Sequence, residues 1–211
     1  MRKLCPSMLH DFETKLRDLL NNQEKPRPFV CDGNPLECQI FIVGFNAATE
    51  MDASFWDFWS PERGFDKSAW MEAYIKERAE KTSTEKKRRT KISATRLRIE
   101  WMTEIFGLVH CLETNLYSKA TKRAKDLRNE DKDCSVFTFL LKKIQPKVIF
   151  LHGAPTRKDF GSMFNITIEK DQMVEISLFG NETKVIAKQH LSLGWSKEKS
   201  IDFGKELLIL L

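Results

Sequence analysis

Gln39-Ile40-Phe41-Ile42-Val43-Gly44 is a short continuous run of β-branched and aromatic residues that ends in glycine. A run with no polar face reads as a strand buried on both sides, the pattern of a parallel sheet covered by helices. Lys147-Val148-Ile149-Phe150-Leu151-His152-Gly153 repeats it behind Pro146, which stops the preceding helix. Shorter runs at Cys111 to Leu116 and Lys184 to Ala187 supply two more strands. Between and around them the apolar spacing is helical. Met8, Leu9, Phe12, Leu16, Leu19 and Leu20 mark a helix over residues 7–20, and Asp66 is placed to cap another over Lys67 to Glu80. Further helices are predicted from Ser93 to Phe106, burying Leu97, Trp101 and Ile105, over residues 133–144, and from Ser200 or Ile201 to the end. Ile166 to Ala187 alternates and is punctuated at Lys170-Asp171 and Gly180-Asn181, so a small antiparallel excursion is expected there. Helices alternating with buried strands predict a three-layer α/β/α sandwich whose mainly parallel central sheet has about four strands.

The composition fits one such domain over residues 1–211. With 41% hydrophobic and 31% charged residues, nine Gly and seven Pro, the chain is neither disordered, collagenous nor low in complexity. Lys and Arg number 35 against 30 Asp and Glu, a net charge of +5 that permits a polyanionic partner without demanding one. The longest apolar runs, Val148 to Leu151 and Leu207 to Leu211, fall far below the ~20 residues that cross a bilayer. Behind Met1-Arg2-Lys3 the residues His10, Asp11 and Glu13 stand where a secretory signal would be apolar. A cytoplasmic protein, or a nuclear one in a eukaryotic cell, with no membrane partner is therefore expected. The five cysteines (5, 31, 38, 111 and 134) form no CxxC pair, so reduced thiols and no metal or other cofactor are expected.

In a parallel sheet the ligand sits beyond the carboxyl ends of the strands. That rule points to the loops after Gly44, Thr114, His152-Gly153 and Gln189. Three of them carry amide or imidazole groups: Phe45-Asn46-Ala47-Ala48-Thr49, Asn115-Leu116-Tyr117-Ser118-Lys119, and His190-Leu191-Ser192-Leu193-Gly194-Trp195. Small and hydroxylated residues at a strand end let backbone N–H groups face an anion such as a phosphate. Taken singly, each amide is equally well a turn or cap residue and the histidine a structural one. Their convergence on one sheet edge is the feature that suggests function.

These residues resemble the uracil-DNA glycosylase superfamily. Ile42-Val43-Gly44-Phe45-Asn46-Ala47-Ala48-Thr49 is similar to its first active-site motif, nearest the branches that write Gly-x-Asn-Pro-Gly, and His190-Leu191-Ser192-Leu193 is similar to its second, usually His-Pro-Ser-Pro followed by a wedge. Thr114-Asn115-Leu116 stands where several branches carry an Asn after the second strand, and the resemblance spans residues 38–205. It implies a monomeric DNA glycosylase, free of metal, acting on uracil or a related damaged base flipped out of single- or double-stranded DNA. Asn46 and His190 would be catalytic, the first holding a water and the second donating to the leaving base. Asn115 would read the base edge, with Phe45 or an aromatic near Trp59 stacked on it. Thr49, Ser118, Lys119, Ser192 and Leu193 would contact DNA, with Leu191, Leu193 or Trp195 as wedge. Ala47-Ala48 in place of Pro-Gly departs from the motif and leaves open a non-catalytic relative that binds single-stranded nucleic acid or a nucleotide.

The remaining signal is charge. From Lys81 to Arg98 eight basic residues, among them Lys87, Arg88, Arg89, Arg96 and Arg98, meet only Glu85. Such a run is either a solvated face or a track for phosphates. An accidental likeness within a general α/β binding or hydrolase domain is the other alternative, although no Gly-x-Ser-x-Gly elbow, Walker loop or Gly-x-Gly-x-x-Gly is present.

Overall fold

The computed structural model describes residues 6–21, 23, 25–47, 51–84, 90–121 and 123–211. The strand decided by Ile40-Phe41-Ile42-Val43 forms as β2 (Ile40–Asn46) at the heart of a mixed six-stranded sheet. Beside it run β5 (Cys111–Tyr117) on one side and β6 (Val148–His152) on the other, and β8 (Asn181–Lys188) follows β6. These four are mutually parallel, with Gly44 opposite Asn115 and Ile40 opposite Val148. The sheet is wider than the four strands read from the sequence because two antiparallel edges close it. They are β1 (Phe29–Cys31), which pairs with β5, and β7 (Met173–Leu178), which forms the expected hairpin with β8. A separate two-stranded ribbon joins β3 (Trp59–Ser60) to β4 (Gly64–Phe65).

Strand parity divides the interior into two cores. Phe41, Val43, Ile149, Leu151, Val185 and Ala187 face one side with Phe12 and Leu16 of α1 (Pro6–Leu20) and Phe137 and Leu140 of α4 (Ser135–Ile144). Ile40, Ile42, Val148, Phe150 and Ile186 face the other side with Ile99 and Met102 of α3 (Ala94–Thr103) and Phe203 and Leu207 of α6 (Lys197–Ile209). The larger core also takes Trp70 and Tyr74 from α2 (Lys67–Thr84) and Phe160 from α5 (Ala154–Phe164). At each burial of roughly 25 cal/mol per Å² of apolar surface, these two faces supply the drive that holds the layers together.

Several helix boundaries follow local chemistry. Asp66 Oδ1 accepts from the Ala69 amide, Ser93 from Arg96 and Ser196 from Lys199, three N-caps that satisfy otherwise orphaned N–H groups. Ser196 therefore starts α6 about one turn before the Ser200 or Ile201 predicted. Helix α3 also corrects the prediction. Its buried positions are Arg96, Ile99 and Met102, whereas Leu97 and Trp101 are only half-buried. The helix is turned so that Arg96 reaches a carboxylate on β5, and spacing alone does not set that phase. Among the described residues no helix is long and apolar enough to cross a membrane.

Candidate functional site

The chain runs from β2 out to β5 and then returns past β2 to β6, so the topological switch lies between β2 and β6. At the carboxyl ends of these strands, on the α3 face of the sheet, a cavity of about 450 Å³ opens. Ligand pockets run from roughly 300 to 1,000 Å³, so it has room for a nucleobase with part of its sugar. Asn46 from β2, Asn115 from β5, His152 from β6 and His190 just beyond β8 all line it, and Phe45 does so at its edge.

Each of these groups is fixed by its neighbours. Asn46 gives both amide hydrogens away, to the Lys119 carbonyl at 3.2 Å and to Thr121 Oγ1 at 2.6 Å. A backbone carbonyl can only accept, so the amide orientation is determined and Oδ1 is the atom left to accept from a ligand or water. Asn115 sits opposite Gly44 in the β2–β5 ladder, and among the described residues its side chain makes no hydrogen bond. Gly44 makes the room: a Cβ there would lie 2.5 Å from Asn115 Oδ1 and 3.1 Å from His152 Nε2.

The two imidazoles meet edge to face with centroids 5.0 Å apart. The Ser192 amide donates to His190 Nδ1 at 3.2 Å, so the neutral ring carries its proton on Nε2. Burial lowers the His190 pKa below the ordinary histidine value, which keeps the ring neutral at pH 7. His152 is only 7% exposed, and its Nδ1 is buried with no partner among the described residues. Burial, reinforced by His190 and Arg96, pushes its pKa down to about 3. The left-handed Gly153 (φ 98°) brings the backbone beneath His190, where a Cβ would lie 3.3 Å from the ring.

At the other end the wall is cationic. Arg27, Arg78 and Arg96 line the cavity beside Tyr74, and Arg123 lines it on the loop after β5. Arg96 is 9% exposed and pairs with Glu113 and, at 3.1 Å, with Glu100. Lys67 completes the network at 3.2 Å from each carboxylate. Burial raises the Glu113 pKa, but Arg96 and Lys67 outweigh it and hold the carboxyl below its ordinary value. The Arg96 guanidinium also lies over the Trp70 ring at 4.7 Å and Arg27 at 5.8 Å. Among the described residues, the basic run read from the sequence gives Arg96 to the cavity wall, while Arg98 donates to the Ala94 and Trp195 carbonyls.

Other candidates lie elsewhere. Trp59 stacks between Phe12 and Phe55 and donates from Nε1 to Glu13, away from the cavity lining. Ser118 Oγ accepts from Gln23, and Lys119 pairs with Asp131 at 2.6 Å. Ser192 and Leu193 belong to the turn that follows His190, in which the Leu193 amide donates to the His190 carbonyl at 2.9 Å. Of the three wedge candidates, Leu191 and Trp195 are buried in the core under α3 and α6, and Leu193 is 62% exposed. Thr49, Lys87, Arg88 and Arg89 lie outside the described residues. The sequence reading missed His152, Arg27, Arg78 and Arg123 as lining groups. His152 ends a strand and was within reach of the carboxyl-end rule, whereas the arginines come from loops and helix faces that carry no motif. No family model matches the chain, and no curated protein does.

Proposed function

We propose that this protein is a DNA glycosylase with a uracil-DNA glycosylase-like fold. It hydrolyses the N-glycosidic bond of uracil or a related deaminated or damaged base flipped out of DNA. One observation carries the reading: Asn46, Asn115 and His190, from three separate strand ends, line one base-sized cavity. The bond breaks through an oxocarbenium-like state, so the demands are a held water and a donor for the charge that grows on the base. Asn46 Oδ1, with both amide hydrogens already engaged, accepts from that water. His190, neutral with its proton on Nε2, donates to the leaving base without first losing a proton. Asn115 offers a donor and an acceptor to the base edge. Leu193, exposed three residues beyond His190, is an apolar residue suited to filling the gap a flipped base leaves in the stack. The reading implies a metal-free monomer that meets DNA in the cytoplasm, or in the nucleus of a eukaryotic cell.

The test is incubation with single- and double-stranded oligonucleotides carrying uracil, hypoxanthine or xanthine, followed by alkali to cut abasic sites. Cleavage is expected for at least one base, with Asn46→Ala slower by on the order of 100-fold. Absence of cleavage on every substrate, or an Asn46→Ala variant as fast as the parent, overturns the proposal. A second reading, a non-catalytic binder of single-stranded nucleic acid or a nucleotide, is favoured by Ala47. It stands where the resemblance implies a proline, and Ala48 stands where it implies a glycine. Binding without turnover is the outcome that selects it.

A further inference from the structure

The row of residues where the sheet meets the cavity has one position without a side chain. Gly44 pairs with Asn115 on β5, and the register that sets Val43 against Leu151 carries on to set Gly44 beside His152 on β6. All three stand on the face of Ile40, Ile42 and Phe150, the α3 side, where the cavity opens. Gly44 therefore leaves a notch one strand wide between Asn115 and His152. Both flanking groups lean into it: Asn115 Oδ1 and His152 Nε2 lie 2.5 and 3.1 Å from the point where a Gly44 Cβ would be. Neither finds a partner in the fold. Among the described residues the Asn115 amide makes no hydrogen bond, and His152 accepts only through its backbone carbonyl, from Thr156 Oγ1 at 2.9 Å. His152 Nδ1 is buried and unpartnered, and His190, in ring contact at 5.0 Å, spends its own Nδ1 on the Ser192 amide. Polar groups enclosed in a protein are as a rule paired, so two unpaired on either side of one notch form a set that a ligand completes.

We propose that His152 is a base-reading residue: its Nε2–H donates to a carbonyl oxygen of the bound base in the Gly44 notch, while Asn115 Oδ1 accepts from the ring N–H beside that carbonyl. The ligand class is therefore a lactam, the ring carbonyl next to N–H that uracil, hypoxanthine and xanthine share. The donor follows from burial. A buried N–H without a partner is costlier than a lone pair without one, so the neutral ring keeps its proton on Nε2 and leaves Nδ1 as the bare acceptor. Burial also holds the ring uncharged near neutral pH, so the notch offers a fixed donor rather than a cation. Cytosine and adenine carry an amino group in place of the carbonyl, and its hydrogens would meet the His152 N–H head on. The mount is rigid, because β6 is paired on both sides, with β2 and β8. His190 remains the donor to the leaving base, so the two imidazoles address different atoms. This deepens the glycosylase reading by naming a substrate class, and it rests on that reading for the ligand's being a base.

The test is calorimetric titration of the full chain at about pH 7, where both imidazoles are uncharged, with each lactam base set against its thio analogues. Uracil is compared with 2-thiouracil and 4-thiouracil, and hypoxanthine with 6-thiohypoxanthine. Sulfur keeps the shape but is a weak acceptor. At least one lactam base is expected to bind, with one of its thio analogues about 10-fold weaker. His152→Leu is expected to bind that base about 10-fold more weakly and to lose the margin over that analogue. His152→Gln, whose amide can still donate, is expected to keep part of the margin. No binding of either base, no margin in the parent, or a margin unchanged in His152→Leu overturns the assignment. A margin lost equally from His152→Gln and His152→Leu shows the ring merely packing the cavity, and overturns it too. Binding is read here without turnover, so DNA cleavage by a protein whose margins ignore His152 sinks this inference alone. A margin that depends on His152, in a protein that cleaves none of the modified oligonucleotides, sinks the glycosylase reading alone.

Discussion

His152 is held uncharged at the floor of the cavity, and that has a cost in acid. Its folded pKa of about 3 lies far below the ordinary histidine value near 6.5, so the unfolded chain takes up a proton that the folded one refuses. The stability it contributes is therefore complete above pH 6.5 and is lost as the pH falls toward 3, at about 1.4 kcal/mol per unit. Urea denaturation is expected to show this residue taking about 2 kcal/mol from the protein between pH 7 and pH 5, a component absent from His152→Gln. Equal slopes in both proteins refute it. Gly44 is the second residue on which the site turns. A methyl group there collides with Asn115 Oδ1, so Gly44→Ala is expected to fold with a loss of about 1–3 kcal/mol and to lose base binding along with it. A melting curve and a binding titration on the same sample check both halves. What could be read in advance at this scale was the set of polar residues ending strands, Asn46, Asn115 and His190. Their hydrogen bonds were not legible. The Lys119 carbonyl that orients Asn46 lies 73 residues away, and no local pattern announces it. The arginine wall was hidden for the same reason: Arg27 stands in a Pro-punctuated loop, and the pairing of Arg96 with Glu113 joins a helix to a strand.

At the scale of elements, the strands declared themselves where burial is two-sided. Ile40 to Val43 and Val148 to Leu151 are apolar without interruption because both cores need them. The edges did not. β1 is three residues long, and α5 buries only Thr156, Phe160 and Gly161, too few to print a helical period, with a proline in its first turn that reads as a break. The Lys67, Arg96, Glu100 and Glu113 network ties α2 and α3 to β5. Removing one charge from such a buried group leaves the others uncompensated. Glu113→Gln is therefore expected to cost about 3 kcal/mol at pH 7, measured by chemical denaturation. Because the Glu113 carboxyl is depressed, its stabilisation is full above the unfolded carboxylate pKa near 4.3 and disappears as the pH falls below it, so the penalty of the substitution should shrink in strong acid. A penalty independent of pH would mean that packing, not charge, is what the network provides.

For the molecule as a whole, the proposed function raises the question of which cations would meet DNA. The net charge of +5 is small, and much of the described basic population is spoken for: Arg96 by Glu113, Lys119 by Asp131, Arg123 by Asp126, Lys132 by Asp159. Two groups of cations then have different duties under the proposed function. Those inside the cavity act on the flipped base and displace few condensed counterions. The run containing Lys87, Arg88 and Arg89 is the one dense enough in sequence to follow a phosphate backbone. The affinity for DNA falls with salt by about 0.9 logarithmic units per decade for each duplex phosphate neutralised, or about 0.7 on a single strand. Replacing Lys87, Arg88 and Arg89 together with Gln is thus expected to flatten the salt dependence by about 2 to 3 units. Fluorescence anisotropy on one labelled oligonucleotide over a range of salt measures the slope for both proteins. If the triple replacement leaves the slope unaltered, the run is a solvated surface, and under the proposed function the phosphates must be met instead by the turn at Ser192 and Leu193 and by backbone amides at the strand ends.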